Sequence, residues 1–178
     1  DVQIRNPGMN RAQYEEVFNY WLGSPITIWL GEGCNGDDTH GHVDDVARFV
    51  SPDTIVLAIE EDPAEENHRR SMDNLRRLEH AAQRADIGPL NIVKVPYPRR
   101  VMMQDDVLPA SYTNFFIGNG VVIVPTFNDP KDRQVLGVFA ELMPKHDVVG
   151  IHAVDLVLGL GSFHCLTQQE PCSRREVS

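Results

Sequence analysis

The strongest constraint on this chain is a repeat of pattern rather than of residues. Two short apolar runs, a helical stretch and a further apolar run occur around residues 43–95, and the same order returns around 114–151. Each reads as hairpin, helix, strand, so the chain is expected to hold two copies of one ββαβ module without clear sequence identity. Modules of this kind rarely stop at two.

Within the first copy, residues 43–50 alternate imperfectly as a strand, Ser51-Pro52-Asp53 turns, and residues 54–59 form a more uniformly apolar strand. Pro63 opens a long charged helix over 64–84, with Leu75, Leu78, Ala81 and Ala82 on its inner face. Its charged run at 60–70 reads as a solvated face. Residues 91–95 return to strand, and the proline-rich stretch 96–110 reads as an irregular surface loop over a site. In the second copy, 114–118 and 121–124 flank Asn119-Gly120, a strong hairpin signal. A helix capped by Asn128 and Asp129 runs to about Leu142, 147–151 makes a strand, and 159–167 is a glycine-led segment ending in a strand.

Ahead of both copies, Asn6-Pro7-Gly8 turns and Asn10 caps an amphipathic helix over 11–22, with Tyr14, Val17, Phe18 and Trp21 at helical spacing. Residues 26–30 read as a strand, ended by the glycine-rich loop 31–36.

A formal charge of −10 over 178 residues opposes a nucleic-acid partner, which needs clustered Lys and Arg, and suits a small cationic one. Cys34, Cys165 and Cys172 are odd in number and unpaired in spacing, which indicates neither a disulfide framework nor a structural zinc site. No apolar run approaches the roughly 20 residues that span a bilayer. The reading is a cytoplasmic protein with no membrane partner.

Chemistry concentrates at two places far apart in sequence. Near one end, Asp38-Thr39-His40-Gly41-His42-Val43-Asp44 offers an imidazole flanked by carboxylates. If 42–44 is extended, His42 and Asp44 share a face and Asp44 can orient the ring, while Asp38 can accept a bidentate bond from a planar cation. Near the other end, Gly159-Leu160-Gly161-Ser162-Phe163-His164-Cys165 offers a thiol next to glycines that permit close backbone approach. A late cysteine and a distant histidine are the parts of a nucleophilic site assembled by folding. The competing reading of Cys165 alone is a buried hydrophobe. Cys34 and Cys172 read as incidental. Asn114 is a turn residue or a polar contact at a strand mouth. A second alternative is a metal-dependent hydrolase using His40, His42 and Asp44, two imidazoles two residues apart with a following aspartate. It lacks the histidine expected directly after the aspartate, where Asp45 stands. His146, His152 and His164 fall in no ligand pattern.

These motifs resemble a known family. The stretches Gly36-Asp37-Asp38-Thr39-His40-Gly41-His42-Val43-Asp44, Ala110-Ser111-Tyr112-Thr113-Asn114-Phe115, Val124-Pro125-Thr126-Phe127-Asn128-Asp129-Pro130 and His164-Cys165-Leu166-Thr167-Gln168-Gln169-Glu170-Pro171 are similar to those of the agmatine deiminases and Porphyromonas-type peptidylarginine deiminases of the pentein superfamily. The resemblance implies an α/β fold, part of a fivefold pseudosymmetric propeller of ββαβ modules, with residues 1–178 as the carboxy-terminal part of one deiminase domain whose amino-terminal modules are absent.

It further implies that Cys165 attacks a guanidinium carbon and that His42 protonates departing ammonia. Asp38 and Asp44 grip the guanidinium, with Asn114 and Gly161 nearby, and no metal or organic cofactor takes part. The implied reaction converts agmatine to N-carbamoylputrescine and ammonia, in putrescine biosynthesis; peptidyl arginine is the alternative substrate. Agmatine deiminases commonly carry Asn-Ile-His-Cys and Glu-Thr-Asn-Gly-His where this chain has Ser162-Phe163-His164-Cys165 and Asp38-Thr39-His40-Gly41-His42, a difference that bears on the pocket. A homo-oligomer, pairing with a missing half, or an inactive association module are the further expectations for so short a chain.

Overall fold

The first helix, α1 (Arg11–Leu22), begins where the sequence places it. Asn10 Oδ1 accepts from the Gln13 N–H at 3.0 Å and Gln13 Oε1 accepts from the Asn10 N–H at 2.8 Å, a reciprocal capping box. Gly23, with φ at 64°, ends it. Its inner face is narrower than the spacing predicts, because only Tyr14 is buried and Trp21 stays 74% exposed. The computed structural model describes residues 6–38, 41–84 and 86–170 of the chain. Cys172 and His40 lie outside the described residues.

Both modules form as expected. In the first, β1 (Ala47–Ser51) pairs antiparallel with β2 (Thr54–Ile59), α2 (Glu66–Ala82) crosses over, and β3 (Asn91–Pro96) lies parallel to β2, with Thr54 opposite Asn91 and Ile59 opposite Pro96. β2 is central and fully buried at Val56, Leu57 and Ala58. Burial on both faces explains why it reads as an uninterrupted apolar run.

Between the modules, residues expected to form an irregular loop make a small hairpin, β4 (Val101–Met103) with β5 (Asp106–Leu108). It turns at Gln104, whose φ of 55° lies in the left-handed region with no glycine to announce it. In the second module, β6 (Phe116–Ile117) pairs antiparallel with β7 (Val121–Thr126), and β8 (Asp147–His152) lies parallel to β7. Gly120, at φ 79°, makes the hairpin turn. The crossover helix α3 (Lys131–Leu142) is entered through Asp129, whose carboxylate accepts from the Lys131 N–H at 2.8 Å.

Three further expectations are corrected. Residues 26–30 form no strand; the segment lies beside α2, where Gly31 N–H donates to Asn74 and Asn74 donates to the Glu32 carbonyl. Side-chain amide bonds replace strand pairing there. The strand expected from residue 43 starts only at Ala47, because Val43–Asp45 closes into a 3-10 turn. The segment 159–167 contains no strand; a 3-10 turn at Leu156–Gly159 leads through Leu160, at φ 64°, into a further turn.

One core joins the modules. Val56 and Val95 from the first sheet pack with Val122 and Val124 of β7, Val135 and Phe139 of α3, and Tyr112 and Phe115 of the loop before β6, and the Phe115 and Phe139 rings lie 4.6 Å apart. A separate cluster fills the space under α2 with Ile55, Leu57, Ile59, Leu75 and Leu78. Among the described residues the result is a mixed α/β array of small sheets and three helices, open rather than closed into a ring. Among the described residues, no helix is long and apolar enough to cross a membrane.

Candidate active site

Asn114 organises the site. It is 1% exposed, between the fully buried Tyr112 and Phe115. Tyr112 anchors this loop to α3 through a 2.6 Å bond from its hydroxyl to Asp132, and the Ser111 and Thr113 hydroxyls bond each other at 2.8 Å. Asn114 Oδ1 accepts from the backbone N–H groups of Ser162 at 3.0 Å, His164 at 3.1 Å and Cys165 at 3.3 Å, and from the Ser162 hydroxyl at 3.1 Å. The turn that carries the cysteine is thus wrapped on one amide oxygen. Such a turn has its N–H groups committed and cannot extend into a strand.

The other end of the same amide gathers the polar groups. Asn114 Nδ2 lies 2.9 Å from Asp45 Oδ1, 3.1 Å from Cys165 Sγ and 3.2 Å from Asp44 Oδ2. Two hydrogens are shared among three acceptors. Cys165 Sγ donates to Asp44 Oδ2 at 3.2 Å, and that same oxygen meets His164 Nδ1 at 2.6 Å.

The electrostatics follow from these contacts. Burial alone would raise Asp44, but the hydrogen bonds from His164 and Cys165, and the His164 charge, hold its carboxyl below the ordinary range. Burial, offset in part by the Asn114 donor and reinforced by the carboxylates of Asp44 and Asp45, pushes the Cys165 thiol up to about 11. Hydrogen-bonded to a carboxylate, the sulfur rests as a thiol. Arg48, one strand position into β1, lies with its guanidinium 4.2 Å over the Phe115 ring and donates to the Phe115 carbonyl. Burial lowers it to about 10 although Asp44 and Cys165 pull the other way, so it stays a cation acting on this pair.

Gly161 presses directly on the sulfur. A Cβ built there would sit 2.5 Å from Cys165 Sγ and 2.6 Å from Cys165 Cβ, closer than any real contact. Gly161→Ala is therefore expected to displace the thiol and lower turnover by about 100-fold, since a shift of about 1 Å costs that much. Parallel measurement of kcat and melting temperature checks this; wild-type turnover in a folded variant would contradict it.

Four of the sequence-derived residues meet here: Asp44, Asn114, Gly161 and Cys165. Asp38 does not join them by any hydrogen bond among the described residues. It is exposed on the wall of an open cavity of about 670 Å³, with Asp37, Asp105, Asp106, Leu158 and Leu160. His42 starts the 3-10 turn, half-buried, with its N–H bonded to Asp37 Oδ2 at 2.6 Å. Asp45, Arg48, Ser162 and His164 escape the sequence reading. Their signal was proximity to Asp44 and Cys165 in the chain, but only the 3-10 turn and the Asn114 wrap bring them round. Cys34 is a core residue packed with Ala58 and Tyr97, and burial pushes its thiol far up. Among the described residues, no group of three or more His, Cys, Asp or Glu is placed to hold a metal ion, and His40 lies outside them.

The family model described as Porphyromonas-type peptidyl-arginine deiminase matches residues 2–171. The chain belongs to this family. It is 33% identical to the agmatine deiminase of Pseudomonas fluorescens, over 96% of this chain and 51% of that protein. Among solved structures it superposes on agmatine deiminase of Enterococcus faecalis, described as catalysing its reaction, with a TM-score of 0.86 and 31% identity, over 93% of this chain and 50% of that one. It also superposes on a Cys-to-Ser variant of C. jejuni agmatine deiminase with substrate bound, at a TM-score of 0.82 and 28% identity, over 89% of this chain and 46% of that one. The chain spans about half the length of the curated relatives it matches.

One residue is expected to make the stability of this member of the Porphyromonas-type family depend on pH. Asp45 is fully buried, and burial, together with the charges of Asp44 and Asp37, raises its carboxyl from 3.8 to about 8 despite the Asn114 bond. Between those two values the folded chain holds a proton that the unfolded chain has lost, so stability falls as pH rises, by at most about 1.4 kcal/mol per unit. Asp45→Asn removes that slope. The variant is expected to match wild type near pH 4 and to exceed it by up to about 4 kcal/mol near pH 7. Urea unfolding across this range checks the divergence; parallel curves would refute it.

Proposed function

We propose that the protein hydrolyses a guanidinium group to a carbamoyl group and ammonia through Cys165, with agmatine as substrate and N-carbamoylputrescine as product. The observation that carries this reading is the 3.2 Å contact between Cys165 Sγ and Asp44 Oδ2, with Asn114 Nδ2 within reach of both. A nucleophile and a carboxylate so close bracket a planar cation: the carboxylate accepts from guanidinium N–H groups while the sulfur faces the carbon. Residues 1–178 are read here as the carboxy-terminal part of one deiminase domain.

The resting thiol is held protonated by the negative charge around it. An arriving guanidinium takes over Asp44 as hydrogen-bond acceptor and supplies positive charge, which favours the thiolate. The sulfur then bonds to the guanidinium carbon and the C–N bond to the departing nitrogen breaks. His42, which takes the thiol's proton as the thiolate forms, delivers it to the departing nitrogen so that ammonia leaves. The S-alkylthiouronium left on Cys165 is attacked by water, which loses one proton to His42; the C–S bond then breaks, and the sulfur takes the remaining hydroxyl proton to return as the thiol while the carbonyl of the carbamoyl product forms. His164 keeps Asp44 ionised throughout, through their 2.6 Å contact.

Support for agmatine over peptidyl arginine comes from the Pseudomonas relatives, which at 32–34% identity carry the name agmatine deiminase. Ammonia release from agmatine, free arginine and an arginyl peptide at equal concentration tests the choice. Agmatine is expected to turn over fastest. Faster release from the peptide would transfer the assignment to peptidyl arginine, and no release from any of the three would reject the deiminase reading.

A further inference from the structure

Asp45 has no place in the steps above, yet it is the most deeply buried acid at the site, at 0% exposure. Its Oδ1 takes a 2.9 Å bond from Asn114 Nδ2, while its Oδ2 is buried without a hydrogen-bond partner among the described residues. Its backbone carbonyl is held by the Tyr97 hydroxyl at 3.2 Å, which fixes the turn behind it. The groups facing it are of one sign or neutral. Asp44 lies beside it on the same turn and Asp37 on the preceding loop; Cys34 and Tyr97 lie behind, and Cys165 lies across the Asn114 amide. The nearest cations, Arg48 and His164, engage Asp44 and Cys165 instead. A carboxylate with one donor, no cation and two like charges is driven to its neutral form.

From this geometry we infer that Asp45 is a positioning residue that works as a neutral buried acid, holding the Asn114 amide between Asp44 and Cys165 without adding a second negative charge beside the sulfur. The inference rests on the deiminase reading only in giving Cys165 the part of nucleophile. With Asp45 neutral, Asp44 is the one carboxylate the thiolate must tolerate. When Asp45 loses its proton, the two sites repel through the shared amide, and the thiolate becomes harder to form. The rate should therefore fall on the alkaline side as Asp45 ionises.

The test is alkylation of Cys165 by iodoacetamide across the pH range, read by mass spectrometry of the peptide that carries it, in wild type and in Asp45→Asn. The amide keeps the shape of the neutral acid and cannot ionise. The Cys165 midpoint is expected to be lower in the variant by about one pH unit, so that at alkaline pH alkylation is up to about ten-fold faster than in wild type. A midpoint that does not move overturns the inference. If the variant does not fold, infrared spectra of wild type decide. A protonated-carboxyl band persisting at neutral pH and lost on alkaline titration supports Asp45 as a neutral acid; its absence overturns it. Alkylation needs no substrate, so failure of all guanidines to react counts against the deiminase reading, while an unmoved midpoint in an active enzyme counts against Asp45.

Discussion

Cys165→Ser is expected to lower guanidine turnover by about 10,000-fold or more while leaving the substrate able to bind. The loss is large because the covalent route ends: a serine hydroxyl gives up its proton far less readily than a thiol, and the carboxylate of Asp44 opposes an alkoxide more than a thiolate. Binding survives because Asp44, held ionised by His164, still accepts from the guanidinium. Steady-state turnover and calorimetric titration with agmatine separate the two effects. Cys34→Ser is the control, since that thiol lies in the core with Ala58 and Tyr97 and takes no part in the chemistry. A Cys165→Ser protein that turned over at the wild-type rate would end the covalent mechanism.

Asn114→Ala is expected to strike stability and turnover together. The amide oxygen it removes is the acceptor of three backbone N–H groups and one hydroxyl in the turn Ser162 to Cys165. Each buried donor left unsatisfied costs about 1–3 kcal/mol, and with partial relaxation of a surface turn the sum is about 3 kcal/mol. Turnover should fall by about 100-fold or more, because the sulfur loses both its hydrogen-bond donor and the scaffold of its turn. Asn114→Asp separates the contributions: it keeps the acceptor but sets a second carboxylate beside that of Asp44, so it should raise the Cys165 pKa further. A variant of unchanged melting temperature and unchanged rate would show that the wrap around Asn114 is incidental.

The expectations that succeeded share a physical basis. The ββαβ repeat was legible because central strands such as β2 are buried on both faces, and because Asn119-Gly120 supplies the backbone freedom its hairpin needs. The capping box at Asn10 and Gln13 was legible because it is a contact between residues three apart. The β4–β5 hairpin was missed because its turn uses Gln104 in a conformation that composition does not signal. The stretch 43–45 was misread because short alternating polar and apolar residues suit a 3-10 turn as well as a strand.

The site divides along the same line. Residue types alone offer Cys165 and Asp44 as candidates, while the spacing around Asn114 favours a turn residue and only the family resemblance brings it to the site. Which groups actually touch was decided by packing across the two modules. Asn114 meets Asp44 and Asp45 some 70 residues earlier and Cys165 51 residues later, through bonds with no local signature. Chain order specifies the elements because their energies are set by near neighbours. The partners of Asp44, and the proton that Asp45 retains, depend on burial and charge that exist only once distant segments close on one another.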